Sequence, residues 1–258
     1  MSVYNRKKQK WRVTMFEKSI EITYATLTDR GERVQNEDSL GVEQYKDGIM
    51  FILCDGLGGH GKGDVASNFI VKTILDMVCR RGMNTETAIM KSQNELLEKQ
   101  KRENAQNSMK TTLTCLNIAG ERARYIHVGD SRVYHFEGGK LKDRTFDHSV
   151  PQMLVNIGEI KEFEIRHHED RSRLLRVVGS EWDTPKYQVG NIIKIGRKTT
   201  FLMCSDGFWE LIDEKEMCRT LKKSKTPQEW LNEMQKIVLS NGKGSDMDNY
   251  SAIAVFIR

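Results

Sequence analysis

Proline is scarce in this sequence, with 3 in 258 residues, and no Gly/Ser/Pro-rich stretch interrupts it. Such stretches usually mark the joints between independently folding units. Residues 19–258 are therefore expected to form one domain behind a basic lead-in, residues 1–18. Long apolar runs are missing too. The longest, Ile49 to Cys54 among them, fall far short of the ~20 residues that cross a bilayer, so no membrane span is expected. The opening cluster Arg6, Lys7, Lys8, Lys10 and Arg12 has no apolar segment behind it, which leaves no visible secretory signal and reads as a solvated tail. The 5 cysteines form no C-x-x-C pair, their number is odd, and three sit inside apolar runs as small hydrophobes. A reducing, cytoplasmic setting fits that usage. Charge of one sign is also in short supply: 41 basic against 36 acidic residues give a net charge of +5, too little to argue for nucleic acid.

Several catalytic signatures are absent. No cysteine has an arginine six positions on, which excludes the thiolate phosphatase loop, and neither G-x-S-x-G nor H-E-x-x-H occurs. His167 and His168 are adjacent, so on a regular element their rings point apart. The Gly-rich segment Asp55 to Gly63 fits two nucleotide patterns poorly. Gly56, Gly58 and Gly61 match G-x-G-x-x-G, but Asp55 would set a negative charge against a pyrophosphate, and the acidic residue about 20 positions on, Asp76, falls within a helix. Gly56, Gly61 and Lys62 nearly spell a P-loop, but Gly63 stands where a magnesium-binding Ser or Thr is needed.

What is present is a set of short apolar or alternating runs that read as strands: Ser19–Leu27, Gly48–Cys54, Thr111–Ala119, Ala123–Val128, Arg132–Phe136, Asn191–Ile195, Thr200–Cys204 and Ser251–Ile257. Helical spacing covers Asp64–Arg80 and the more polar Thr85–Lys101. Near the C-terminus, Asp213 with Glu216 and Thr226 with Glu229 are capping boxes, the second with Pro227 in the first turn. Strands cluster and helices come in pairs, without βαβ alternation. The expected class is α+β: a central sandwich of two antiparallel sheets flanked by pairs of helices, four layers in the order α-β-β-α.

Acidic residues recur at the ends of these strands. Asp55 follows Ile49–Cys54, Asp130 follows Tyr125–Val128, Asp206 follows Phe201–Cys204, Asp248 opens the last strand, and Glu37-Asp38 opens the strand after Arg33. Asp is a routine turn residue, so separate turns remain one reading. The other is convergence on one edge of the sheet pair, where such carboxylates would need hard divalent cations to neutralise them.

In order, the motifs are Arg33-Val-Gln-Asn-Glu-Asp38, Asp55-Gly-Leu-Gly-Gly-His60, Thr111-Thr-Leu113, Gly129-Asp-Ser-Arg132, Asp147-His-Ser149 with Leu174-Leu-Arg176, Ser205-Asp-Gly207, and Asp248-Asn249. Together they resemble the metal-dependent protein phosphatase family, protein phosphatase type 2C, in its compact bacterial form, from about Ser19 to Arg258. The resemblance implies a serine/threonine phosphatase that hydrolyses phosphoserine and phosphothreonine by attack of a water bridging two divalent cations, manganese or magnesium. Asp55 would bridge the two metals and the Gly56 carbonyl would bind one. Asp206 and Asp248 would hold the other, while Glu37 and Asp38 would orient bound waters. Asp130 would serve a third, weaker cation, and Arg33 would pair with the substrate phosphate, for which its fork is well shaped. Implied partners are phosphoproteins, a serine/threonine kinase among them.

Two positions depart from the family pattern. Leu57 stands where animal members carry a histidine, leaving His60 the nearest candidate for leaving-group protonation, and Lys110 replaces a common glycine. The flap implied for Asp147 to Asp183 carries Arg166, His167, His168, Arg171, Arg173 and Arg176, either a solvated surface or a basic rim for an acidic phosphorylated loop. The rival function is a catalytically weak regulatory or binding module of the same fold. Such a module would usually have lost a metal carboxylate, whereas Asp55, Asp206 and Asp248 are all present. A nucleotide-binding enzyme is the distant third reading.

Overall fold

A computed structural model describes residues 9–13, by their backbone alone, and residues 20–58 and 61–258. Its centre is two antiparallel sheets. Gly48–Cys54 (β4) is buried at every residue, as expected of a strand covered on both faces. β4 lies between Ser39–Tyr45 (β3) and Leu113–Ala119 (β5). Arg122–Val128 (β6) follows β5, with the two-residue strands Gln188–Val189 (β9) and Ile193–Lys194 (β10) beyond it. The facing sheet is built on Tyr250–Ile257 (β12), also buried throughout. It pairs with Ile20–Asp29 (β2) on one side and Thr199–Cys204 (β11) on the other. Gln9–Val13 (β1) completes one edge, and Arg132–Glu137 (β7) with Lys140–Arg144 (β8) the other.

Three apolar layers hold the architecture together. Between the sheets, Ile49, Phe51 and Leu53 of β4 meet Phe201 and Met203 of β11 and Ile253 and Val255 of β12. The alternate residues of β4, Met50, Ile52 and Cys54, point the other way, onto Gly63–Leu75 (α1) and Thr85–Arg102 (α2). On the outer face of the second sheet, Leu202, Cys204 and Ala254 pack against Glu214–Lys223 (α5) and Pro227–Asn241 (α6), with Trp230 fully buried. The period-2 alternation of each central strand thus feeds two cores at once. The four-layer α-β-β-α expectation holds.

Capping follows the sequence. Asp213 accepts from the Glu216 N–H at 2.8 Å, and Thr226 from the Glu229 N–H at 3.1 Å with Pro227 opening the helix. The helix expected over Asp64–Arg80 changes at Leu75, where Asp76–Arg80 continues as a wider π turn. Val150–Asn156 (α3), a 3-10 turn at Glu162–His167 and the one-turn Asp206–Trp209 (α4) carry too few periodic positions to be visible in sequence. Wholly antiparallel pairing excludes the dinucleotide-binding reading. Lys62 pairs with Glu103 at 3.0 Å, and α1 opens without a side-chain cap from Lys62, so the P-loop reading also lapses.

The lead-in needs correcting. Gln9–Val13 lies in the segment expected as a solvated tail, yet pairs with β2 from Gln9↔Tyr24 to Val13↔Ile20. Trp11 and Val13 give it strand propensity, and β2 offers an otherwise open edge. Arg6, Lys7, Lys8 and Ser19 lie outside the described residues. All five cysteines are free, and no helix among the described residues is long and apolar enough to cross a membrane.

Candidate metal and phosphate site

The acidic strand ends meet. Asp55 leaves β4 and Asp130 follows β6 in one sheet, while Asp206 follows β11 and Asp248 precedes β12 in the other. All four line a single cleft of about 620 Å³, together with Arg33, Glu37 and Gly56. Asp38 lies beneath it, buried.

Backbone placement explains why the flanking residues are what they are. Thr111 and Thr112 fix Asp55: the Thr111 hydroxyl and the Thr112 N–H both donate to the Asp55 carbonyl at 2.8 Å, and the Asp55 N–H donates to the Thr112 hydroxyl at 2.9 Å. Thr112 also shares a 2.7 Å hydrogen bond with Ser131, which ties the Asp130 turn to the same anchor. That turn passes through Gly129 at φ +99°, where a side chain would be strained and a Cβ would lie 2.7 Å from Thr112. Gly56 is required by close approach, since a Cβ there would stand 2.4 Å from the Gly63 carbonyl and 2.7 Å from that of Glu37. Lys110 meets the loop after Asp55 through its carbonyl, which accepts from the Leu57 N–H at 3.0 Å.

Electrostatics mark the cleft as strained without a counter-charge. Burial, then Asp206, Asp38 and Asp130, holds the Asp55 carboxyl well above the usual range, and Asp55 and Asp206 share a hydrogen bond. Burial followed by Asp206 and Asp147 does the same to Asp130, and burial followed by Asp248 raises Asp206. Asp38 is pushed up to about 7, mainly by burial, against the hydroxyls of Ser251 and Ser205. Its Oδ2 accepts from Ser205 at 2.9 Å, while Oδ1 is buried without a partner. Such an atom is costly unless something positive reaches it.

Two groups in the cleft also have neighbours that the resemblance did not imply. The Glu37 carboxylate faces the backbone N–H groups of Gly63 and Asp64 at the start of α1, where the helix dipole favours a negative charge, while burial raises its carboxyl above the usual range. Arg33 grips Asp248 with both ends of its fork, Nε to Oδ1 at 3.1 Å and Nη2 to Oδ2 at 3.2 Å, while Nη1 meets Asp246 at 2.9 Å. His60 lies outside the described residues.

Among the described residues, no three His, Cys, Asp or Glu side chains close on one point as a ready-made cage. The donors are nonetheless of the right kind: oxygens only, crowded, part-buried and mutually repelling. Magnesium in particular commonly takes one or two carboxylates and keeps waters for the rest. The residues fit hard divalent cations.

Sequence reasoning missed several supports. Trp209 donates its indole N–H to the Asp130 carbonyl at 3.0 Å and carries the Arg132 guanidinium 3.4 Å above its ring. Arg132 forms a buried fork on Asp147, at 2.8 and 2.7 Å. His148 closes the other side: its N–H donates to the Gly129 carbonyl at 2.9 Å, and its Nδ1 accepts the Gly129 N–H at 3.2 Å. Burial and the stacked His127 ring push His148 down to about 3, so it stays a neutral acceptor. A second cleft of about 630 Å³ adjoins the first at Arg33, Asp206 and Asp248. Glu210 lines it, raised to about 7 by burial and by Asp206, and pairs with Arg171 at 3.0 Å. Arg166, counted above with a basic rim, instead ties the flap to the Trp209 and Ile212 carbonyls and to Glu214. Of the rest of that rim, His167 lines the second cleft and Arg173 stands 3.9 Å from Asp170.

Comparison with known proteins gives a consistent picture. Residues 29–240 match the family model described as protein phosphatase 2C. The serine/threonine phosphatase stp of Listeria monocytogenes is 32% identical over 240 residues, which covers 88% of this chain and 93% of that protein. The crystal structure of the serine/threonine phosphatase Stp1 from Staphylococcus aureus superposes with a TM-score of 0.82 at 25% identity, over 95% of this chain and 96% of that one. The catalytic domain of the serine/threonine protein phosphatase PstP, solved in complex with 2 manganese ions, gives 0.77 at 25% identity, over 92% and 99%.

Proposed function

The chain belongs to the protein phosphatase 2C family, and we propose that it hydrolyses phosphoserine and phosphothreonine in proteins with the help of two divalent cations, manganese or magnesium. The observation that carries this reading is the convergence of Asp55, Asp130, Asp206 and Asp248 from both sheets onto one cleft, with the Asp55, Asp130 and Asp206 carboxyls raised by burial and by acidic neighbours and a buried Asp38 oxygen left unpaired. Full retention of these carboxylates argues against the regulatory-module alternative.

Asp55, Asp206 and Asp248, with the Gly56 carbonyl, would hold the two cations. Asp38 and Glu37 would act through bound water, and Asp130 would serve a weaker third site. When bound, the cations supply positive charge against the anionic ester and lower the pKa of the attacking water. The chain's own residues do the rest. Thr111 and Thr112 fix the position of Asp55, and Trp209, His148 and Ser131 fix that of Asp130. Arg33, whose fork already holds a planar carboxylate, would take the substrate phosphate in the same way. Among the described residues lining the cleft, Ser172 is the only Ser, Thr or Cys and no histidine or lysine lines the cleft with it, in keeping with direct attack by water. Phosphoproteins, a serine/threonine kinase among them, are the proposed partners, and the cytoplasm the proposed setting.

The test is turnover of a phosphothreonine peptide with manganese, with and without chelator. Metal-dependent release of phosphate is expected. Turnover that persists in chelator would overturn the assignment.

A further inference from the structure

The geometry points to Asp246 as a positioning residue for Arg33: it holds one face of the guanidinium so that the opposite edge is presented to the substrate phosphate. The inference rests on the proposed phosphatase reading and concerns a residue that reading leaves without a role.

A guanidinium offers five N–H donors in a fixed plane. In Arg33 the Nε/Nη2 edge lies on the two oxygens of Asp248, and Nη1 lies on Asp246 at 2.9 Å. A carboxylate and a phosphate present the same pair of oxygens to such an edge, so Asp248 here occupies the place that a phosphate would take. The two acidic partners then have different fates. Asp248 is committed to a cation in the proposed active state and must leave the fork. Asp246 has no such duty, is 73% exposed, and lines only the second cleft. Its grip on Nη1 can persist when the other edge changes partner.

The contact is not a chance meeting of two long side chains. The loop carrying Arg33 is tied to the Asp246 segment through backbone and a buried amide. The Glu32 N–H donates to the Met247 carbonyl at 3.0 Å, and Asn249 donates to the carbonyls of Arg30 and Gln35, both at 2.9 Å. On its own side Asp246 sits in a closed turn, where the Met247 N–H donates to the Ser245 carbonyl at 3.0 Å and Ser245 Oγ to the Gly242 carbonyl at 2.8 Å. Met247 anchors that turn, buried against Gly242. Both partners of the ion pair are thus on fixed backbone, so only side-chain rotamer freedom is lost in making it.

The experiment compares Asp246→Asn and Asp246→Glu with the parent protein, and repeats Asp246→Asn in an Arg33→Ala background. Three readouts are needed: kcat and KM on a phosphothreonine peptide, orthophosphate binding to the manganese-loaded protein, and manganese binding by calorimetry. Asp246→Asn should raise KM and weaken orthophosphate binding by about two- to fivefold, the scale of an exposed ion pair, with kcat and manganese affinity unchanged. Asp246→Glu should restore most of the loss. With Arg33 already removed, Asp246→Asn should have no further effect, since coupled residues fail to add. Equal effects with and without Arg33, or an unchanged orthophosphate affinity, would overturn the proposal. Orthophosphate binding decides the matter even if the peptide is not turned over, and absence of turnover would count against the phosphatase reading alone.

Discussion

At the residue scale, Arg33 and Asp248 face each other as competitors. Asp248 cannot serve a cation and the Arg33 fork with the same two oxygens. Arg33→Ala should therefore do two opposite things: weaken phosphopeptide binding and tighten manganese. A charge-assisted bidentate contact is worth on the order of 1.5–3 kcal/mol, so KM should rise roughly 10- to 150-fold, while calorimetry shows a lower manganese dissociation constant. Unchanged affinity for both would leave Arg33 a purely structural residue. Asp206→Asn and Asp248→Asn should each remove most of the turnover, at least tenfold on the scale of ~1.4 kcal/mol per decade, with the circular dichroism spectrum intact. Near-normal rates at saturating manganese would contradict their placement as ligands. The carboxylates were readable in sequence because each closes an apolar run, and β-strand ends are visible as changes in hydropathy. Glu37 is readable as a cleft residue in the same way, but its place beside the start of α1 is not, because nothing local to Glu37 announces that Gly63 and Asp64 will lie against it.

At the scale of elements, the Asp130 turn depends on a buried assembly that touches no substrate: Trp209 of α4, Arg132 of β7, and Asp147 and His148 at the start of the flap. Removing one partner of a buried ion pair leaves an uncompensated charge, typically at a cost of about 3–5 kcal/mol. Arg132→Met should destabilise the protein by that order in urea unfolding. Adding Asp147→Leu should recover part of the loss, since apolar replacement of both partners is often near neutral. A double variant as unstable as the sum of its singles would show that the pair is more than an ion pair. Core strands such as β4, β6 and β12 lie within a residue or two of their expected limits, because uninterrupted apolar runs leave few alternatives. The edge strands β1, β8 and β9 and the turns of the flap escaped, since short polar segments take their structure from the neighbours they meet. For a related reason the pairing of the flap arginines is not legible locally: the acidic partners of Arg166 and Arg171, Glu214 and Glu210, come 48 and 39 residues later.

At the scale of the whole molecule, the crowded carboxylates tie stability to pH. A carboxyl raised in the folded state, such as Asp38 from 3.8 to about 7, binds more protons folded than unfolded across that window. Folded stability then falls as pH rises through it. His127 and His148, both depressed by burial, act in the opposite sense, but only below their unfolded value of 6.5. Above pH 6.5 the carboxylates act alone. In chelator the melting temperature should drop by several degrees over that range, at about 2–4 °C per kcal/mol for a domain of comparable size. Manganese should abolish the drop, because it binds the deprotonated groups. A flat profile in chelator would show that the carboxyl groups ionise freely.

The division of ligands between the two sheets has a kinetic consequence. Asp55 and Asp130 end strands of one layer, while Asp206 and Asp248 border strands of the other. A cation shared across that seam would add a strong link between halves joined by apolar packing and a few hydrogen bonds, such as Ser205 to Asp38 and the Glu37 N–H to Asn249, much as a covalent crosslink would. Without it, the strand tips on both sides carry like charge and should separate first. Native-state amide exchange would then resolve the molecule differently in its two forms. With manganese, the ends of β4, β6, β11 and β12 should exchange only through global opening. In chelator they should form a faster unit that opens while the middle of the sandwich stays closed.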